Sequence, residues 1–297
     1  MRYGKRVHKI ALDATFTCPN RDGSKGRGGC TFCNNASFSP NGLKPDSISS
    51  QVNAGKAVIK KRTGALHYIA YFQAYTNTYG NIDELRSTYD QALSQENIVG
   101  LSVGTRPDCV PEPVLELLAK YQQQGYEVWL ELGLQSSFDE TLNRVNRGHD
   151  YQEYCEAVDA AHRYQLNICT HLMLGLPGED KSHALVTLKR VLSQGVAGLK
   201  IHPLHIVKGT RLANEWRRNE YTPLSYNDYI ETTCDMIELT PIEVVYHRLT
   251  GTAPDKILLA PSWCGKKWNV LNGIMNELRR RGTSQGFYHT PNNLHTV

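Results

Sequence analysis

Cys18, Cys30 and Cys33 lie in a loop built from turn residues, CPNRDGSKGRGGCTFC, and thiols grouped in this way suit metal chemistry. Three thiolates can hold three irons of a four-iron cubane and leave the fourth iron open, whereas an electron-transfer cluster normally takes four cysteines. An iron with a free site can do chemistry. A Cys-x2-Cys pair also serves zinc, but no second pair follows here, so a closed zinc site would have to recruit a distant ligand. Gly23, Gly26, Gly28 and Gly29 would let the backbone pass close to a bulky inorganic core. Phe32 either shields that core or packs as an ordinary loop residue. Lys25 and Arg27 either offset a cluster's negative charge or are solvated.

Such ligands need a scaffold. Hydrophobic period and turn residues mark six strands alternating with helices, with strands expected at 7–12, 66–72, 98–103, 127–132, 167–174 and 198–202. Helices are expected at about 47–62, 82–95, from 111 onward, 139–145 and 151–164. Another should follow GLPGED, where Glu179 and Asp180 suit the positive start of a helix. This rhythm requires parallel pairing with right-handed crossovers, so the α/β sheet either curves toward a barrel or lies open and doubly wound. Ligands then gather at the carboxyl ends of the strands. Polar or glycine-rich segments follow the second to sixth strands: residues 73–79, GTRPD, GLQSS, GLPGE and PLHIVKGT.

The rhythm fades after about residue 210. Residues 211–297 read as a C-terminal extension packed on residues 1–210, with helices near 226–238 and 270–280, a short apolar run at 243–246, and a polar tail without fixed structure from residue 283.

Composition narrows the function classes. With 297 residues and 40% hydrophobic content the chain can build a sizeable core. No apolar run approaches the roughly 20 residues that span a bilayer, and no signal peptide is evident, so a cytoplasmic location and no membrane partner are expected. Eight irregularly spaced cysteines argue for reduced thiols over a disulfide framework. Cys109, Cys155, Cys169, Cys234 and Cys264, isolated in sequence, read as small buried hydrophobes. A formal charge of +4 permits an acidic partner without requiring one.

The cysteine loop, the segments TRPD, ELGLQS, NRGHD, GLPGE and LKIHPLHIVKGT, and their order resemble the radical S-adenosylmethionine (SAM) superfamily. The resemblance is to its YhcC/MnmL-type branch, related to the radical domain of the Elongator catalytic subunit, and it runs from Arg2 to about Cys264. Two departures stand out. Eleven residues separate Cys18 from Cys30, where the superfamily commonly has three, and residues 72–75 read FQAY in place of Gly-Gly-Glu.

The resemblance implies a partial (β/α)6 TIM-like barrel. It also implies a 4Fe-4S cluster on Cys18, Cys30 and Cys33, and SAM chelated to the open iron. Reductive cleavage of SAM would give methionine and a 5′-deoxyadenosyl radical, with a flavodoxin- or ferredoxin-like protein as one-electron donor. Gln73 would meet the methionine end, Glu131 the ribose, and Arg147 the SAM carboxylate, with Gln135 in the same loop. Gly175 to Gly178 would approach the adenine, as would His202 and Leu204. Thr105, Arg106 and Asp108 sit where SAM or substrate could be reached, although Arg106 and Asp108 could simply pair with each other. Glu131 could instead belong to a buried ion pair, and His149 reads as a positioning residue. Lys200 and Lys208 are candidate cations facing the substrate, or solvated surface residues, the reading favoured for Lys208.

Relatives of this branch act on wobble uridine, which points to tRNA as substrate. Residues 2–9, 266–268 and 279–281 are basic segments that either contact phosphates or form solvated faces. The alternatives are a small metabolite or a partner protein as substrate, or an iron-sulfur adaptor without catalysis.

Overall fold

A computed structural model describes residue 4 and residues 6–34 and 46–289. In chain order its elements are β1 (Val7–Leu12), α1 (Pro19–Asp22), α2 (Ile48–Thr63), β2 (His67–Phe72), α3 (Ile82–Leu93), β3 (Ile98–Thr105), α4 (Glu112–Gln123), β4 (Glu127–Gln135), α5 (Asp139–Arg144) and α6 (Tyr151–Arg163). They continue with β5 (Asn167–Leu174), α7 (Lys181–Ser193), β6 (Gly198–Pro203), β7 (Ile206–Val207), α8 (Arg211–Arg217), α9 (Tyr226–Leu239), β8 (Val245–Arg248), β9 (Leu258–Ala260) and α10 (Lys267–Arg281). The main sheet has seven strands in the order β1-β2-β3-β4-β5-β6-β8. Strands following chain order with helical crossovers give the expected α/β fold, and edges at β1 and β8 give the strand order of a partial barrel. The seventh strand, β8, shares only Val245 and Tyr246 with the apolar run expected at 243–246 and continues to Arg248.

The chain divides into two compact units. The first comprises residues 1–27, 38–132 and 156–168. Its strands pair in parallel, with Ala11 opposite Tyr71, Tyr71 opposite Ser102, and Ser102 opposite Trp129. Side chains alternate between faces, so one face gathers Ile10, Leu12, Ala70, Phe72, Leu101, Val103, Val128 and Leu130, each 2% exposed or less. Helices cover that face, and Tyr89 of α3 packs against Phe72 with ring centroids 5.3 Å apart. The opposite face carries Lys9, Tyr71, Ser102 and Glu131.

The second unit comprises residues 28–37, 133–155 and 169–297. Here β5, β6 and β8 run parallel, while β7 and β9 pair antiparallel. A core of Val145, Leu176, Leu204, Ile206, Leu212 and neighbours takes Phe32 against its side, which is the ordinary packing role for that aromatic. The helix after GLPGED is α7, whose N-cap Asp180 and N3 residue His183 form a reciprocal capping box. Residues 283–289 correct the expectation of an unstructured tail. Thr283 bonds the Glu238 carboxylate, and Gln285 reaches the carbonyls of Pro241 and Val244 at 2.7 and 2.8 Å. These groups tie the segment to the end of α9. The rest of the expected tail lies outside the described residues. Among the described residues no helix is long and apolar enough to cross a membrane.

Candidate functional site

In the second unit Cys30 and Cys33 share one turn, closed by the Cys33 N–H donating to the Cys30 carbonyl at 3.0 Å. Gly28 and Gly29 enter it at φ +83° and +77°, a region that residues with a Cβ avoid. Two contacts fix the turn against the end of α5. The Thr31 N–H donates to the Val145 carbonyl at 3.0 Å, and the Asn146 amide donates to the Gly29 carbonyl at 2.8 Å. Arg147 then spans two acceptors, with Nη1 donating to Cys30 Sγ at 3.3 Å and Nη2 to the Gly133 carbonyl at 2.6 Å. A buried sulfur that already accepts from a cation, three residues from a turn-mate thiol of intermediate exposure, suits a pair of cluster ligands. This donor set fits an iron-sulfur group.

Cys18 belongs to the first unit and begins α1, its carbonyl accepting from the N–H groups of Arg21 and Asp22 at 2.8 and 3.1 Å. Lys25 is committed elsewhere in that unit, to Asp108 Oδ2 at 2.7 Å. Arg106 forks onto the same carboxylate at 2.9 and 3.0 Å, so Arg106 and Asp108 do pair, in a site where both are 2% exposed or less. The Thr105 hydroxyl meets that of Thr78 at 2.5 Å. Gln73, half-buried, directly follows β2. Glu131 is fully buried on β4, where it is ion-paired with Lys9 and accepts from the Ser102 hydroxyl at 2.6 Å. The ion pair considered as the alternative for Glu131 therefore exists, and Lys9 also lies over the Tyr71 ring at 5.1 Å.

Gln135 differs from expectation: it ends β4 instead of lying in the loop beyond, and it takes φ +80°. Gly175 follows β5 at φ +85°, and its carbonyl accepts from the Tyr221 hydroxyl at 2.6 Å. Arg144, the 175–179 turn, Glu220 to Ser225 and Asp228 line a cavity of about 430 Å³. Glu179 bonds Ser136 there, and burial raises its carboxyl above the usual range. Leu204 is in the apolar core, and its N–H donates to the Leu174 carbonyl at 2.8 Å. His202 stands on β6 with His171 of β5 nearby, ring centroids 6.0 Å apart. Lys200 is 3% exposed on the same strand, whereas Lys208 is on the surface. His149 Nδ1 is 3.2 Å from the Asp150 carbonyl.

Of the isolated cysteines, Cys109, Cys169, Cys234 and Cys264 are buried and Cys155 is half-buried. Burial pushes Cys109, Cys234 and Cys264 each up to about 12, as inert thiols require. The candidate phosphate contacts divide. In the 279–281 run, Arg280 pairs with Glu277, and Arg281 with Glu277, Asp235 and Glu238. In the 2–9 run, residues 2, 3 and 5 lie outside the described residues. Sequence reasoning does not flag Lys9 and Ser102 as partners of Glu131, nor Tyr221 as the partner of Gly175. Strand alternation does mark Ser102, a polar residue flanked by the apolar Leu101 and Val103 on its strand.

Comparison with known proteins follows the same line. Residues 16–191 match the radical SAM superfamily and residues 196–280 the Radical_SAM C-terminal domain. The chain is 50% identical to Protein YhcC of Escherichia coli over 96% of its own length and 92% of that protein's. It is 27% identical to the tRNA uridine(34) acetyltransferase of Dehalococcoides mccartyi, over 68% of this chain and 42% of that one. In fold it resembles archaeal Elp3 of Methanocaldococcus infernus, with a TM-score of 0.71 at 19% identity, covering 94% of this chain and 64% of that one. A superfamily match over more than half of the chain, joined to a cysteine turn whose sulfur is held by an arginine, establishes that this chain belongs to the radical SAM superfamily of enzymes.

Proposed function

We propose that this protein holds a 4Fe-4S cluster on Cys18, Cys30 and Cys33, cleaves SAM reductively, and uses the resulting radical on the side chain of a tRNA wobble uridine. The observation that carries the cluster reading is the Arg147 guanidinium on Cys30 Sγ at 3.3 Å, within a glycine-led Cys-x2-Cys turn. Cluster and SAM, when bound, supply one-electron cleavage of the sulfonium to methionine and a 5′-deoxyadenosyl radical, with the electron drawn from a flavodoxin- or ferredoxin-like donor.

The chain's own residues do the orienting. Arg147 clamps the cysteine turn to the Gly133 carbonyl, so the sulfur of Cys30 is held in place. Glu131 keeps a carboxylate in a dry setting by pairing with Lys9 and accepting from Ser102, and a carboxylate so held can take two ribose hydroxyl hydrogens. Tyr221 pins the turn at Gly175, which takes a positive φ and lies so close to Leu224 that a side chain would crowd it. Gln73, Thr105, Gln135, Arg147, His202 and Leu204 complete the proposed SAM contacts.

The tRNA substrate is supported by kinship with a tRNA uridine(34) acetyltransferase, a relative that shares only part of its length with this chain. Anaerobic reconstitution, reduction and incubation with SAM should yield 5′-deoxyadenosine, and a deletion strain should show altered wobble-uridine nucleosides by mass spectrometry. Neither SAM binding nor 5′-deoxyadenosine would leave an iron-sulfur adaptor. Turnover with unchanged nucleosides in every tRNA would shift the substrate to a metabolite or partner protein.

A further inference from the structure

In the second unit, strand register sorts the side chains of β5, β6 and β8 into two unlike faces. His171 stands opposite Lys200 and Met173 opposite His202. Between β6 and β8, Leu199 faces Tyr246, the register then slips by one residue, and Lys200 faces Arg248. Residues opposite one another in a parallel pair share a face, and alternate residues along a strand do the same. His171, Lys200, His202 and Arg248 therefore share one face. The other carries Leu172, Leu199 and Ile201, all 1% exposed or less.

The slip has a definite effect. In unbroken register Lys200 would face His247, and Arg248 would fall opposite Ile201 on the apolar side. One extra residue in β8 moves the guanidinium to the polar face, the re-aiming of a side chain that bulges accomplish. Arg248 is also the last residue of β8 and His202 the last but one of β6, at the carboxyl ends where parallel α/β sheets bind ligands.

Two cations directly opposite one another repel. A bridging anion converts that repulsion into two charge-assisted bonds, one from the guanidinium fork and one from the ammonium. Burial first, then Arg248, Lys200, His171 and His205, hold His202 well below the ordinary histidine range. Its neutral ring can thus hydrogen-bond beside the cations without adding charge.

We infer that this face binds an anionic group of the substrate, a carboxylate or a phosphate, between Lys200 and Arg248, with the imidazoles of His171 and His202 flanking it. Assigning the anion to the substrate rests on the radical reading above; the anion site itself does not.

The test uses full-length, anaerobically reconstituted, unreduced protein with saturating SAM, so that the SAM carboxylate is already present. Thermal midpoints are measured in inorganic phosphate and in acetate, each against chloride at equal ionic strength. The wild type should rise with at least one of them. Phosphate alone indicates a phosphate-bearing substrate, and acetate alone a carboxylate-bearing one. Arg248→Gln, at a half-buried position, should lose the rise while still binding SAM. Lys200→Gln should lose it as well, and exposed Lys189→Gln should keep it. Should Lys200→Gln fail to fold, Arg248→Gln carries the test alone. No rise in the wild type, or a full rise in Arg248→Gln, overturns the inference, and loss of SAM binding in Arg248→Gln would assign the anion to SAM and overturn it too. A failed radical reading shows up separately, as anion binding without 5′-deoxyadenosine on reduction.

Discussion

Replacing Arg147 by Met removes both arms of the fork that holds the cysteine turn. The wild-type guanidinium donates to Cys30 Sγ at 3.3 Å and to the Gly133 carbonyl at 2.6 Å. A hydrogen bond made by a charged group is worth about 1.5–3 kcal/mol, and a buried acceptor left without its donor adds a penalty of its own. Arg147 is only half-buried, so water can take over part of the lost bonding. A net loss of about 1.5–3 kcal/mol is expected, roughly a ten- to hundredfold change in the unfolding constant. Urea denaturation of the iron-free protein isolates this structural part. Iron and sulfide content after anaerobic reconstitution reads the consequence for the turn, and should fall. Arg147→Lys keeps the charge but cannot span both acceptors, so it should land between wild type and Met. Equal urea midpoints for wild type, Lys and Met, with full iron loading in all three, would refute the clamp.

Three further outcomes follow from the same geometry. Cys30→Ala should lose the cluster by iron and sulfide assay while Cys234→Ala keeps it, because Cys234 is fully buried on α9 with its thiol toward the Ile274 carbonyl; a full cluster in Cys30→Ala would remove that residue from the ligand set. Gly175→Ala should destabilise by about 1–3 kcal/mol, the cost of an αL conformation for a residue with a Cβ, since φ is +85° and the new carbon would sit 3.1 Å from Leu224 Cβ. An unchanged melting temperature would show that the turn can relax. Stability should also fall as pH rises from about 9 to 12, because burial raises the thiols of Cys109, Cys234 and Cys264 from 9.0 to about 12. Below that window both states hold these protons; within it the unfolded chain releases them first, which favours unfolding. Cys264→Ala should flatten the fall in urea midpoint, and an identical slope would count against the assignment.

Much of this scaffold was legible in the chain. Strand β5 has the bounds its apolar run predicts, and β1 likewise, because each is a short hydrophobic segment bounded by turn residues. Strands β3 and β4 run past their expected ends, to Thr105 and Gln135, since register with neighbouring strands extends pairing beyond the apolar stretch. β8 was harder to see. Four residues, VYHR, carry little period, and only pairing with β6 makes them a strand.

The sequence by itself determined the grouping of the thiols and the α/β rhythm, since thiol spacing and hydrophobic period are properties of neighbouring residues. It could also place Glu131 on a strand. Tertiary structure alone decided what each polar group meets. Lys9 reaches Glu131 from 122 positions away, and Arg147 reaches Cys30 from 117. Arg248 joins Lys200 only through a one-residue slip between strands. Such pairings depend on register and crossover, which are set when the apolar faces pack, and no local pattern encodes them.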